Sequence, residues 1–299
     1  MKKQQKRIQK VKTPAGAWLI FSFLVLYAVA LIIPYLFALV TSFRSVNDFR
    51  EQVFGFSMPT LDNYKVLFDT TASGFKYTVI TADGAQAYYD FIGLTLNSFL
   101  FAVGCAAAST LCPCIVGYCT ARFPYKFSKF LVSLVYVLMA LPIVGSTVSE
   151  IQMTQALGIY DSIPGMWFLK FTFLGMYTLI YNASFKSIPN DYVEAAYMDG
   201  AGNLSIFVRV MMPLVSNTML IAFILSFVSF WSDYSTPLFF LRSYPTLALA
   251  LLNYTETVGT YATDQMAACI LLCIPSLVLF ACFTEKFTGN LQMGGIKGC

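Results

Sequence analysis

Apolar and polar positions along this chain fall into long blocks rather than short periods. Six predominantly apolar blocks, 17–40, 91–120, 130–149, 166–185, 213–232 and 266–283, are separated by polar segments. Runs near or above ~18 apolar residues with few charges are long enough to cross a hydrocarbon core as helix. The pattern therefore predicts an all-α integral membrane protein with six transmembrane helices. The first block is too long for a signal-peptide core and shows no convincing cleavage site, so it is expected to be retained. Between the first two blocks, residues 41–90 carry turn signals at Gly55, Pro59, Gly74 and Asp83-Gly84. Alternation at Tyr77-Thr78-Val79-Ile80 predicts a short strand or hairpin there.

Composition agrees with the blocks. Hydrophobic residues make up 58% of the chain and charged residues 11%, with a mean hydropathy of +0.67; a soluble domain carries about 25% charge. Orientation follows from where Lys and Arg fall. Lys2, Lys3, Lys6, Arg7, Lys10 and Lys12 crowd the N-terminal tail, residues 1–16, and place it in the cytoplasm. With six crossings, Arg122, Lys126, Lys129, Lys186, Arg209, Lys286 and Lys297 fall on the same side, and most acidic residues fall outside. Both termini are then cytoplasmic. The net charge of +4 is largely this tail, so it reads as a topology signal and not as a nucleic-acid surface.

Eight cysteines without a histidine argue against a transition-metal site. Cys105, Cys112 and Cys119 recur every seven residues on one face of the second span, with Ala108 between, and small residues at that spacing let helices approach closely. Cys112-Pro113-Cys114 lacks the two-residue spacing of a thioredoxin-type pair; Cys269, Cys273 and Cys282 are read as packing too, and Cys299 as an exposed terminal thiol. Lys170 stands in the fourth block, where an ammonium is costly unless it snorkels outward or faces a solute path. Asn97, Asn182 and Asn217 either bond between helices or line a polar route. No mid-membrane acid, no duplicated half and no cluster of nucleophile, base or metal ligands is evident, which disfavours a gradient-driven secondary transporter and a membrane enzyme. No G-x-x-x-x-G-K-[ST] phosphate loop occurs, so the chain is not expected to hydrolyse ATP alone.

The segment Glu194-Ala195-Ala196-Tyr197-Met198-Asp199-Gly200-Ala201 is polar, helical in composition and broken at Asp199-Gly200. It lies between the fourth and fifth blocks and cannot sit in lipid. Topology places it in the cytoplasm as a projecting element whose apolar positions, Ala195, Ala196, Ala201, Ile206 and Phe207, need a packing partner. That reads as a docking element for a soluble protein.

These residues also resemble the EAA loop of bacterial ABC-importer permeases, with Glu194, Ala195, Ala196, Gly200 and Pro213 at the pattern positions and the Asp199-Gly200-Ala201 form common in sugar importers. Asp62-Asn63-Tyr64-Lys65-Val66-Leu67-Phe68, Leu96-Asn97-Ser98 and the tail Gly294-Gly295-Ile296-Lys297-Gly298 extend the likeness over nearly the whole chain, which is most similar to the second permease of maltose-type carbohydrate importers. The resemblance implies a permease domain over 17–299, with a coupling helix in the loop 186–212 between helices four and five. Glu194 would pair with a basic residue of an ATPase subunit, Ala195 and Ala196 would allow close packing, and Gly200 would permit the chain reversal between two short helices. The tail residues Gly294, Gly295, Lys297 and Gly298 would touch the ATPase interface. In the 234–264 external loop, Leu241-Arg242-Ser243-Tyr244 would reach into an extracytoplasmic binding protein, unless the loop is an ordinary re-entry.

The function so implied is import of a carbohydrate, an oligosaccharide in particular, across the bacterial cytoplasmic membrane, with a glycerol-phosphate or a polyamine as the alternative cargo. The implied partners are an ATP-binding-cassette dimer, a second permease, the binding protein and the lipid membrane. ATP and magnesium would be bound by the ATPase, with no cofactor, no metal and no covalent catalysis in this chain.

Overall fold

The structure, a computed structural model, describes residues 15–55, 58–69, 76–80, 86–123, 125–141, 145–256 and 261–293, with backbone alone at 15, 255–256 and 285–293. Most of the N-terminal basic tail and the whole Gly294–Gly298 tail lie outside the described residues. The described chain is helical apart from one hairpin and divides into two compact units, residues 1–64 with 261–270 and residues 65–260 with 271–299.

In the first unit, α1 (Ala15–Ser42) realises the first apolar block as one helix, and its side chains from Trp18 to Leu36 are exposed. Such a surface is stable only in lipid or against another protein. Beyond its end Arg44 is buried and donates to the carbonyl oxygens of Val53, Asp48 and Gln52, at 2.8, 3.0 and 2.6 Å. These bonds wrap the chain around α2 (Val46–Glu51), which Ser45 caps by accepting from the Asp48 N–H. Asn63, on the first turn of α3 (Asp62–Phe68), donates to the carbonyls of Ser42 and Arg44 at 2.8 Å each.

The second unit opens with the expected hairpin. Strands β1 (Tyr77–Ile80) and β2 (Gln86–Tyr89) pair antiparallel with Tyr77 opposite Tyr89. Asp90 then caps α4 (Phe91–Arg122), the central helix of the unit, by accepting from the Gly93 N–H at 2.9 Å. Chain order continues through α5 (Lys126–Ala140), α6 (Thr147–Ala156), α7 (Ile163–Leu169), α8 (Met176–Ser187), α9 (Asp191–Met198), α10 (Asn203–Ile206) and a π-helical turn, Phe207–Met211. It closes with α11 (Met212–Leu214), α12 (Ser216–Trp231), α13 (Ser235–Phe240), α14 (Leu247–Glu256) and α15 (Ala262–Met293).

Of the small residues spaced by seven on α4, Cys105 and Cys112 are buried with Ala108 between them, while Cys119 is half-buried. Cys114 is buried as well, and a Cβ added at Gly117 would stand 2.6 Å from Tyr181 Cβ, so α8 lies directly against the α4 backbone. Asn182 donates to Thr120 Oγ1 at 2.8 Å across that contact, while Asn97 donates to the Pro245 carbonyl at 3.1 Å. Asn217 is exposed. On the opposite side of α4, Phe99 and Phe101 meet Phe227 and Phe230 of α12 edge-on.

Among the described residues three helices alone are long and apolar enough to cross a membrane: 16–42, 91–122 and 262–284. A further pair, 203–214 and 216–231, meets the same length and hydropathy criteria only when taken together, and is bent by 74° at Val215, as a broken span or a re-entrant loop is. The other two apolar blocks differ from the continuous helices expected. Block 130–149 breaks because Leu141 precedes Pro142 and takes an extended conformation (φ −85°, ψ 122°), as residues before proline do; α6 then begins at Thr147. Block 166–185 breaks after Leu169, and residues 171–174 are non-helical until α8 starts beyond the extended Gly175. Backbone of this kind is tolerated at membrane depth only where protein surrounds it or water reaches it. Lys170 sits at this break with its ammonium 5.9 Å from the Phe230 ring centre, a cation–π distance.

Candidate functional site

The polar loop between α8 and α12 folds as three short helices, α9, α10 and α11, with a π turn between the last two. Helix α8 stops at Ile188, whose extended backbone (φ −79°, ψ 130°) precedes Pro189. Asn190 then opens α9, its carbonyl accepting from the Val193 and Glu194 N–H groups at 2.8 and 3.0 Å. Asp191 and Glu194 fall in the first turn of α9, where the helix dipole favours negative charge. The helix ends at Asp199, and Gly200 reverses the chain with φ +78°, a conformation that penalises any Cβ. Alanine at 200 is expected to cost ~1 kcal/mol of stability and asparagine less, since asparagine tolerates the left-handed region. Thermal unfolding of the detergent-purified variants measures both.

The inner side of this elbow is buried. Ala196, Ile206 and Met211 join Cys114 and Tyr118 of α4, Tyr181 and Phe185 of α8, and Val215 and Ala222 in one core cluster, with Ala201, Phe207 and Val210 packed against it. Tyr118 lies 4.7 Å from Phe207 and 5.3 Å from Phe185, ring centre to ring centre. This corrects the expectation that Ala196, Ala201, Ile206 and Phe207 await a soluble partner: the chain's own helices cover them. Of the apolar positions singled out, Ala195 alone is exposed.

The outer side presents Glu194, Ala195, Asp199 and Gly200, and Glu194 has no side-chain partner among the described residues. It also presents apolar side chains that sequence reasoning passed over. Met198 is 89% exposed and Leu204 75%, with Tyr192, Tyr197 and Val208 about half exposed. The signal for Met198, Leu204 and Val208 was present in the sequence, since each stands two residues from Ala196 or Ile206 and so on the opposite helix face, but which face turns inward depends on α4 and α8. Pro213 is exposed within the first residues of α11, where its missing N–H is tolerated. The apolar block that starts at Pro213 therefore does not run straight into one helix; the chain bends at Val215 before α12.

At the base of the elbow a cavity of about 220 Å³ lies between Tyr118, Arg122 and Phe123 on one side and Asn190, Val193, Glu194 and Tyr197 on the other. Arg122, in the last turn of α4, donates from Nη1 to the Asn190 Oδ1 and from Nη2 to the Ile188 carbonyl at 2.8 Å.

The four residues Leu241, Arg242, Ser243 and Tyr244 form a pinned turn. Leu241 is fully buried, while Arg242 and Tyr244 are exposed on either side of Ser243. The Asp161 carboxylate accepts from the Ser243 N–H at 2.8 Å and its hydroxyl at 2.6 Å, and the Tyr89 hydroxyl donates to the Ser243 carbonyl at 2.8 Å. The Asp161 N–H donates to the Phe240 carbonyl, and Tyr160 to that of Phe239. Asp161 itself has φ +55°. Burial, together with Tyr244 and Asp161 nearby, pushes the Tyr89 phenol above its usual range, so it stays a donor at physiological pH. Asp161 and Tyr89 were not singled out in the sequence, because their roles depend on a contact across 82 and 154 positions of chain.

A bundle of apolar helices carrying a buried-backed, outward-facing elbow is the architecture of a multi-pass membrane component. Residues 113–288 match the family described as binding-protein-dependent transport system inner membrane component, and the chain belongs to that family. It is 29% identical over 290 residues to the galactooligosaccharides transport system permease protein of Bacillus subtilis, covering 94% of this chain and 96% of that one. It is 25% identical to the maltodextrin transport system permease protein of the same organism, covering 93% and 95%. It is also 28% identical to the trehalose transport system permease protein of Mycobacterium tuberculosis, covering 81% and 84%. Its fold is similar to that of a chain in a bacterial ABC transporter that imports alginate, with a TM-score of 0.72 at 17% identity over 92% of this chain and 99% of that one.

Proposed function

We propose that this chain is a permease subunit of an ABC importer that moves a carbohydrate, an oligosaccharide in particular, across the cytoplasmic membrane. The observation that carries the reading is the elbow at 191–206. Its inner side is held by α4 and α8, while Glu194, Met198 and Leu204 are exposed, and Glu194 has no side-chain partner among the described residues. An exposed apolar patch beside a free carboxylate is what a partner protein covers, and an ATPase is the partner this family position calls for. ATP and magnesium bind in that ATPase; its closure moves the elbow, and the α4–α8–α12 packing carries the motion into the bundle as a rigid-body change. Gly294, Gly295, Lys297 and Gly298 are a further contact with the ATPase. On the other side of the membrane the pinned turn at 241–244 presents Arg242 and Tyr244 to a binding protein. A second permease completes the pore and covers the apolar surface of α1. The relatives' cargoes favour a sugar, with a glycerol-phosphate or polyamine as the alternative.

Purification in mild detergent through a tag on the 69–90 segment, followed by mass spectrometry, tests the assembly. An ATPase and a second permease are expected to co-purify. The complex in proteoliposomes, with its binding protein, is expected to accumulate at least one labelled sugar from a panel of maltotriose, galactobiose and trehalose only when ATP is supplied. Uptake by the chain alone without ATP would overturn the reading in favour of a secondary transporter.

A further inference from the structure

We infer that Arg122 is a positioning residue that clamps the start of the coupling helix to the end of α4; the inference rests on the coupling role proposed above. One guanidinium reaches both sides of the Ile188-Pro189-Asn190 connection. It holds the carbonyl that closes α8 and the side chain that opens α9. Asn at a helix start ordinarily uses its side-chain oxygen to cap its own helix. Here it makes no such bond: its backbone is already helical (φ −68°, ψ −24°), which turns the side chain off its own helix, and the oxygen accepts from Arg122 instead. The side chain at the start of α9 therefore serves attachment to another helix.

The clamp stands beside a gap in the packing. Ile188, Val193, Ala196 and Ile206 all reach the core cluster, but a cavity of about 220 Å³ separates Asn190, Glu194 and Tyr197 from the end of α4. Without the clamp that side of α9 has room to tilt into the space, and motion of α9 would be absorbed there before it reached α4. A planar fork that donates to two acceptors at once prevents this; a lysine, a single point of charge on a flexible stem, does not. Arg122 Nε is itself buried with no partner among the described residues, so the fork's placement is set by its two outer nitrogens. The simpler role for a basic residue here is a cytoplasmic topology signal, and lysine preserves that role fully.

The test uses Arg122→Lys, Asn190→Ala and the double variant in the complete complex. Hydrogen exchange over residues 188–198 reads the clamp, and sugar transported per ATP hydrolysed reads its consequence. Each single variant is expected to insert and assemble at wild-type yield, to exchange about tenfold faster over 188–198, and to transport about tenfold less per ATP. The double variant is expected to be no worse than Arg122→Lys, since both substitutions remove the Arg122–Asn190 contact and Arg122→Lys removes the Ile188 contact as well. Unchanged exchange in Arg122→Lys, an unchanged transport ratio, or defects that multiply in the double variant would each overturn the inference. Should the wild-type complex show no ATP-driven uptake, the proposed function fails instead, and exchange still decides the clamp.

Discussion

Glu194→Lys is expected to abolish ATP-driven uptake while leaving the chain inserted and folded. Glu194 is exposed in the first turn of α9, beside the cavity it shares with Arg122, and makes no side-chain hydrogen bond or ion pair among the described residues. Within the chain the substitution trades a favourable helix-dipole interaction for an unfavourable one, a loss of ~0.3–1 kcal/mol. Between proteins the magnitude is larger. Removing one member of a buried, hydrogen-bonded interfacial charge pair costs about 2–5 kcal/mol, roughly thirty-fold to several-thousand-fold in affinity, and reversing the charge adds repulsion. The two effects are far enough apart to be separated. Thermal unfolding of the purified chain should move by a few degrees at most, while the co-purified ATPase and the uptake rate both fall to background. Wild-type uptake by Glu194→Lys would mean that no cation faces this carboxylate, and the coupling assignment would be lost with it.

How much of this was legible in the sequence depends on the distance over which each feature is decided. Block lengths alone place α1, α4 and α15, because a long uninterrupted apolar run has few other outcomes in a membrane. The hairpin at 77–89 follows from local alternation and turn residues. Gly200 is legible for the same reason, since Asp199-Gly200 after a helical stretch predicts a left-handed residue. The blocks at 130–149 and 166–185 are less legible. Composition there is apolar throughout, yet Pro142 and Gly175 interrupt the helices, and hydropathy does not register a backbone break.

The site divides along the same line. Glu194, Ala195 and Gly200 are outward-facing as their types suggest, but the loop's apolar positions were assigned to a soluble partner when most belong to the chain's own core. The assignment needs the knowledge that Tyr118, Tyr181 and Phe185, up to 88 positions earlier in the chain, build a surface for Ala196 and Ile206. Arg122 illustrates the same limit. Its charge is read as topology, and its hydrogen bonds to Ile188 and Asn190 span 66 and 68 positions. Asp161 is a further case: an Asp near a helix start suggests a cap, whereas the structure turns its carboxylate onto Ser243.

The exposed apolar side chains of the elbow lead to the second large effect. Met198 lies one turn beyond Glu194 on α9, and residues four apart share a helix face; Leu204 follows across the Gly200 reversal. Covering a side chain of this size on binding is worth ~1.5–3 kcal/mol, so the two together carry about as much as the charge. Replacing both by Glu should therefore strip the ATPase from the purified complex as completely as Glu194→Lys, through loss of apolar contact and the cost of burying two carboxylates. Folding should be largely spared, because both side chains are exposed; a Glu at 198, in the last turn of α9, opposes the helix dipole at a cost of only ~0.3–1 kcal/mol. Subunit stoichiometry by native mass spectrometry reads the outcome directly. High salt separates the two mechanisms: it screens the Glu194 pair but strengthens apolar contact when the salt is a sulfate. A wild-type complex that keeps its ATPase in sulfate, beside a Met198→Glu, Leu204→Glu complex that has lost it, would assign the docking energy to the apolar patch. An ATPase retained at full stoichiometry by the double variant would move the docking surface off this face of the elbow.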